Sequence, residues 1–219
     1  MMCGISHGFA SPLLDFDKCV IDISQQDSPL LYKAAEMLRD EIQKRTALPI
    51  IIARSMPEDG MPTIMLGITG DMPDCAPLAP NGLVIPDKED GFAIWIDTAS
   101  RKAPTICVVG RDTRGTLFGV GRLLRELTMT NGAMSTSKDL QISASPCYPK
   151  RIHELGYRNK SNTYDAWTLE QYEQYIRDLV VFGANGIQLV VQLDSMEQDG
   201  PHMTESVLER TKKLTKMIG

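Results

Sequence analysis

The stretch from Gly91 to Leu127, GFAIWIDTASRKAPTICVVGRDTRGTLFGVGRLLREL, limits what the chain can fold into more than any other. Phe92–Asp97 and Thr105–Val109 are short β-branched and aromatic runs separated by a polar segment with Pro104, the pattern of a β-hairpin with a longer loop. A helix is expected directly afterwards. Thr113 is a candidate N-cap, and Leu117, Val120, Leu124 and Leu127 recur at helical spacing. Gly115 and Gly119 lie one turn apart, so one stripe of that helix carries no side chain. Glycine costs a helix about 1 kcal/mol per residue relative to alanine, and close packing on a sheet is the expected compensation.

A phosphate-cradling loop between strand and helix is the rival reading of Gly110–Gly115. A P-loop needs Gly-Lys-Ser/Thr, and Gly115-Thr116-Leu117 stands there instead. A dinucleotide loop needs inner glycines that Arg111-Asp112-Thr113-Arg114 does not supply. Tight helix–sheet packing is therefore the expectation.

Asp90, Gly91, Phe92, Gly110, Asp112, Gly115, Leu117, Phe118, Gly119, Val120, Leu123 and Leu124 together form an acidic-Gly-aromatic strand start, a second strand ending in Gly, an Asp, and a Gly-rich helix. This pattern resembles the small non-catalytic α/β domain that precedes the barrel in several glycoside hydrolase families: the β-hexosaminidases of family 20, the α-N-acetylglucosaminidases and the α-glucuronidases. The resemblance implies hexosaminide or uronide glycans as substrates of the whole enzyme. It also implies a secreted or periplasmic location, although MMCGISHGFASPLL lacks the basic and apolar regions of a secretory signal.

With 219 residues, 42% hydrophobic and 23% charged, the chain has the make-up of a globular protein of one large domain or one and a half ordinary ones. A net charge of −5 argues against a nucleic-acid partner, which usually selects a basic domain. No apolar run reaches the roughly 18 residues of a membrane span. The five cysteines Cys3, Cys19, Cys75, Cys107 and Cys147 lack CxxC spacing, so they read as free, partly buried thiols rather than a zinc site. No cofactor is indicated.

Along the chain, residues 1–17 are expected to form an irregular arm. Cys19–Ser24 is a first strand. Ser28-Pro29 starts a helix whose buried face is Leu31, Ala34, Ala35, Leu38 and Ile42, and Pro49 stops it. Ile50–Arg54 and Thr63–Thr69 are further strands, and the prolines at 73, 77, 80 and 86 keep the next stretch irregular. Thr130–Ser137 reads as a loop and Leu140–Ile142 as a last short strand. Residues 18–145 thus form an α+β sandwich, a mixed sheet with two helices on one face. After the Pro-containing linker Ser145–Pro149 the pattern changes. Arg151–Tyr157 is a strand, and Thr168 with Gln171 makes a capping box. Leu169, Tyr172, Ile176, Leu179 and Val180 line a helix face ending at Gly183, Ile187–Gln192 is an apolar strand, and Thr204 opens a final helix.

The run LGYRNKSNTYDAW, followed by a helix leading into Gly183-Ala184-Asn185, resembles barrel starts of the α-N-acetylglucosaminidase type through Tyr157, Arg158, Asn159, Tyr164, Trp167, Gly183 and Asn185. Residues 150–219 are accordingly expected to be the first β/α units of a (β/α)8 barrel, which needs about 250 residues in full. In barrels function gathers on the loops after the strands, and residues 158–167 form such a loop. Arg158 can hold two vicinal oxygens, Asn159 adds amide donors, Asp165 can accept from hydroxyls, and Tyr164 or Trp167 can stack on a sugar face. These five are the candidate substrate-binding residues, with Gln192 and Asp194 weaker candidates. The bland alternative is a solvated polar loop with Trp167 packed on the following helix.

Hydrolysis usually needs two carboxyl groups, or one and the substrate's acetamido group. The resemblance places the catalytic acids on later strands, so no catalytic residue is assigned here. His153-Glu154 cannot be a dyad, since successive strand residues point to opposite faces. Glu197, Asp199 and His202, interrupted by Gly200-Pro201, read as a turn rather than a metal site. The expectation is the non-catalytic N-terminal domain and barrel start of a glycoside hydrolase, inactive by itself. The alternative is a self-standing carbohydrate-binding or scaffolding module. A glycan or oligosaccharide is the expected partner. Homo-oligomerisation is a further expectation, through apolar side chains and unpaired backbone exposed along Ile187–Val191, set against docking on the first domain.

Overall fold

The computed structural model describes residues 12–23, 28–53, 60–71, 79–155, 167–189 and 207–218. These divide into two compact units, Met1–Pro146 and Cys147–Gly219.

The first unit is built on a mixed six-stranded sheet. Its strands are β2 (Val20–Ile23), β3 (Ile51–Ile52), β4 (Thr63–Ile68), β5 (Phe92–Asp97), β6 (Thr105–Gly110) and β9 (Gln141–Ala144), in the order β3-β2-β4-β6-β5-β9. β3, β2, β4 and β6 run parallel, while β5 is antiparallel to both β6 and β9. The expected hairpin is present, with Phe92 opposite Gly110 and Asp97 opposite Thr105. Pairing and alternation put Ile21, Ile23, Ile64, Leu66, Ile94, Ile106 and Val108 on one face, nearly all fully buried. Each such side chain is worth about 1.5–3 kcal/mol relative to exposure.

Helices α1 (Pro29–Thr46) and α2 (Thr113–Glu126) cover this face and pack on each other. α1 begins as expected, with the Ser28 hydroxyl accepting from Leu31 N and Pro29 in the first turn. It ends before Pro49, at Ala47, in the left-handed region (φ 60°). The opposite face of the sheet carries Ala93, Trp95, Cys107 and Val109, covered by Ala79, Leu83 and Ile85.

Three local expectations are corrected. The N-cap of α2 is Asp112, not Thr113, because the Asp112 carboxylate accepts from Gly115 N at 2.7 Å. The segment expected to be a loop after residue 130 is a hairpin, β7 (Thr128–Thr130) and β8 (Ala133–Ser137), turning on Asn131 and Gly132. Gly132 sits at φ 78°, so a two-residue Asn-Gly turn was the signal there. Within the expected arm, β1 (Leu13–Asp15) pairs with Ser135–Ser137 to make a three-stranded antiparallel sheet β1-β8-β7, and Phe16 beside it is fully buried. Residues 1–11 lie outside the described residues.

The second unit runs β10 (Ile152–Leu155), α3 (Leu169–Val181), β11 (Gly186–Leu189) and α4 (Val207–Ile218), with β10 and β11 parallel. The Thr168–Gln171 capping box is formed in both directions, and Gly183 closes α3 at φ 94°. Leu155, Tyr172 and Leu214 are its core, joined by Trp167, Ile176, Ile187, Leu189 and Met217. Of the residues expected to expose apolar side chains, Ile187 and Leu189 are half-buried against this core, and Val190 and Val191 lie outside the described residues. Ile187 and Leu189 face the helices, and the opposite face bears Ile152, Glu154, Gly186 and Gln188. Among these Ile152 is the one large apolar side chain left in solvent.

Candidate functional site

Of the five candidate sugar contacts, Arg158, Asn159, Tyr164 and Asp165 lie outside the described residues, as do Gln192, Asp194, Glu197, Asp199 and His202. Trp167 is described. It is half-buried at the entry to α3, edge-on to Tyr172 (ring centroids 5.4 Å apart) and to Tyr175 (5.1 Å). The Thr168 cap fixes the backbone immediately after it, so the end of the loop is anchored by both an aromatic cluster and a helix start. Tyr175 continues the cluster to His153, with its hydroxyl 3.2 Å from Nε2. His153 thus faces α3, whereas Glu154 points from the other side of the strand into solvent. They form no acid–base pair.

The entry to the second unit is a polar lock. Arg151 and Asn185 pair their main chains at 2.9 Å, and Arg151 N donates to Asn185 Oδ1 at 2.8 Å. The Arg151 guanidinium donates to Gly183 O and Tyr148 O, and the Asn185 amide donates to Pro149 O. Asn185 therefore holds the starts of β10 and β11 level, which in turn sets where the loop after β10 begins.

In the first unit, the residues of the Gly-rich motif converge on the N-terminus of α2. Asp112 accepts from Gly115 N and from Asp90 N, and Arg111 N donates to Gly91 O. Asp90, buried and at φ 62°, is paired with Arg114 at 2.8 Å. The Thr116 hydroxyl donates to Gly67 O at 2.6 Å and accepts from Gly110 N at 3.2 Å, tying β4, β6 and α2 together. A Cβ on Gly115 would lie 2.2 Å from Gly91 O, and one on Gly119 would lie 2.6 Å from Val108 Cγ1. The positive end of the helix is met by the chain's own carboxylate. The sequence reading counts Asp112 in the motif but not as the helix cap, for which an Asp three residues before a helical glycine is the available signal, and it gives Thr116 no role.

Among the described residues no cluster of His, Cys, Asp and Glu could hold a metal ion, and no helix is long and apolar enough to cross a membrane. Burial pushes the Cys19 thiol up to about 12 and raises that of Cys107 as well, so neither is a nucleophile near neutral pH. Cys147 is exposed. Arg111, with Asp87 hydrogen-bonded to it in solvent, has its pKa raised further. Asp22, on the sheet face away from the helices, is buried, and desolvation raises its pKa. Its own backbone neighbour Ile23 and the nearby Arg101 offset this in part.

No protein-family model matches the sequence, and no curated protein matches it. Solved structures do. Over 92% of its length the chain is similar to a family 115 4-O-methyl-α-glucuronidase with specificity for decorated arabinogalactans, at 14% identity and a TM-score of 0.58, covering 28% of that protein. It shares its fold with parts of glycoside hydrolases. The family 20 exo-β-N-acetylglucosaminidase of Vibrio harveyi is matched over 84% of this chain and 24% of its own, at 15% identity and a TM-score of 0.55. The family 20 β-N-acetylhexosaminidase of Streptomyces coelicolor A3(2) is matched over 84% and 32%, at 14% identity and a TM-score of 0.53. The chain spans about a quarter to a third of the length of these proteins.

Proposed function

We propose that this chain is the N-terminal part of a glycoside hydrolase acting on hexosaminide or uronide glycans: a non-catalytic α+β domain followed by the first β/α units of a (β/α)8 barrel. The observation that carries the reading is that the fold match to sugar-cleaving enzymes runs through 84–92% of the chain while taking up 24–32% of theirs. The β10–α3–β11–α4 order supports a barrel start, since parallel strands joined through helices are covered on both faces in such folds, and among the described residues Ile152, Glu154 and Gln188 on one face of the β10–β11 pair are exposed. In the first unit the motif residues are spent on each other, which supports a structural rather than a catalytic domain.

In this reading the loop after β10 belongs to the sugar site. Arg158 and Asn159 hold hydroxyls, Asp165 accepts from them, and Tyr164 and Trp167 supply the flat apolar wall. The proton-transferring carboxyl groups come from elsewhere in the enzyme, so the chain by itself is inactive. The test is an assay of the purified chain with aryl N-acetyl-hexosaminides and aryl glucuronides. No turnover above buffer is expected. Turnover that a point substitution within residues 150–219 abolishes would overturn the proposal. A self-standing carbohydrate-binding module is the competing outcome, seen as saturable oligosaccharide binding by the isolated chain in calorimetry.

A further inference from the structure

Asparagine is followed directly by glycine three times in this chain, at Asn81-Gly82, Asn131-Gly132 and Asn185-Gly186. Asparagine is a chemically labile residue, and its weak point is its own side-chain amide carbon. The main-chain nitrogen of the next residue can attack that carbon and close a succinimide ring. Glycine in the next place obstructs the attack least, since it has no Cβ. Sequence makes the three sites equal, and their surroundings separate them.

Asn185 is held at both ends of its amide: Oδ1 accepts from Arg151 N at 2.8 Å, and Nδ2 donates to Pro149 O at 2.7 Å. Its Cγ cannot turn toward Gly186 N without breaking both bonds. Asn131 is exposed, but the attacking atom there is occupied. Gly132 N donates to Thr46 O at 2.7 Å, and Thr46 is fully buried. Asn81 is exposed as well, and neither its amide nor Gly82 N is bonded to any described residue. One bond, from Leu83 N to Pro80 O at 3.0 Å, closes the turn around the pair. An exposed turn held in this way opens at little cost.

We propose that Asn81-Gly82 is a site of spontaneous deamidation in the folded protein. Gly82 N forms a bond to Asn81 Cγ and gives up its proton, the Cγ–Nδ2 bond breaks, and ammonia leaves. Water then opens the ring. Its attack at Cγ leaves aspartate, and its attack at the main-chain carbonyl leaves isoaspartate, whose main chain is longer by one carbon. Either product carries a new negative charge. The lengthened chain lies two residues before Leu83, which with Ala79 and Ile85 covers Trp95 and its neighbours on the sheet. The Ser143 hydroxyl holds Val84 O at 2.6 Å, so this strap is pinned just beyond the altered turn and cannot take up the extra length freely. The chemistry is independent of any part in glycan cleavage.

The experiment incubates the whole chain at mildly alkaline pH, folded in one sample and unfolded in urea in another. Both are then mapped peptide by peptide by mass spectrometry, with enzymatic methylation marking isoaspartate. Unfolded, the three asparagines should react at similar rates. Folded, Asn81 should react several-fold faster than Asn131 and Asn185. Asn81→Gln should stay intact at that position, because the larger ring it would need closes far less readily. A folded chain in which Asn131 or Asn185 reacts as fast as Asn81 would overturn the proposal. So would a folded chain in which Asn81 stays intact over the time that consumes it in urea. The deamidated fraction, separated by its extra charge, should melt at a lower temperature than the rest, and coincident melting curves would overturn the effect on the strap.

Discussion

Alanine at position 115 would set a Cβ 2.2 Å from the Gly91 carbonyl oxygen, a backbone atom fixed by its bond from Arg111 N. Alanine at 119 would instead meet a methyl of the buried Val108 at 2.6 Å, a side-chain rather than a backbone atom. Alanine favours the helix by about 1 kcal/mol at either site, but overpacking costs typically 1–3 kcal/mol and more where the obstacle cannot move. Chemical denaturation should therefore find Gly115→Ala destabilised by about 3 kcal/mol and Gly119→Ala by about 1 kcal/mol; equal or reversed losses would refute the packing account. Asp22 gives a pH-dependent counterpart. Its pKa in the folded protein is raised, chiefly by desolvation. The stability it contributes is thus fully present below the unfolded carboxyl pKa and lost as pH rises through the folded value. Asp22→Asn cannot ionise and keeps an acceptor for Ile23 N. Its stability relative to the unsubstituted protein should rise between acid and neutral pH and then level off, and parallel stability–pH curves would refute this.

Elements differ in how clearly the sequence announces them. α1 was legible end to end because three independent signals agree at Ser28-Pro29, the apolar stripe and Pro49. The α3 capping box was equally plain, since both partners lie within one turn. The β7–β8 hairpin was not, because TMT and AMSTS are short, polar and without β-branched apolar alternation, leaving Asn131-Gly132 as the one cue. β1 was hidden for a different reason: its partner strand is more than a hundred residues away, and no local pattern encodes such a pairing. Of the five candidate site residues Trp167 lies among the described ones, and there the alternative reading, packing on the following helix, is what the structure shows: Trp167 meets Tyr172 and Tyr175 of α3. Should the chain belong to a longer enzyme as proposed, the loop is tested best there. Arg158→Ala and Asp165→Ala should each lower kcat/KM by an amount corresponding to about 2–4 kcal/mol, with Tm nearly unchanged. Unaltered kinetics in both variants would return the loop to ordinary surface.

For the whole molecule, the order of strands in the six-stranded sheet sets an order of events. β5, β6 and α2 occupy one continuous stretch, residues 92–126, so their hairpin and the helix folded over it close through short loops. β2 must find β4 across the whole of α1, and β4 must find β6 across nearly forty residues, which makes both pairings expensive in loop entropy until a template exists. The glycine-notched junction is thereby the expected nucleus. Shaving a methyl from Ile94 in β5 should slow refolding, while the same change at Ile21 in β2 should chiefly speed unfolding. The opposite partition in stopped-flow kinetics would refute that order. If that order holds, a nascent chain that has emerged up to the end of α2 already carries the template on which the earlier strands are laid down.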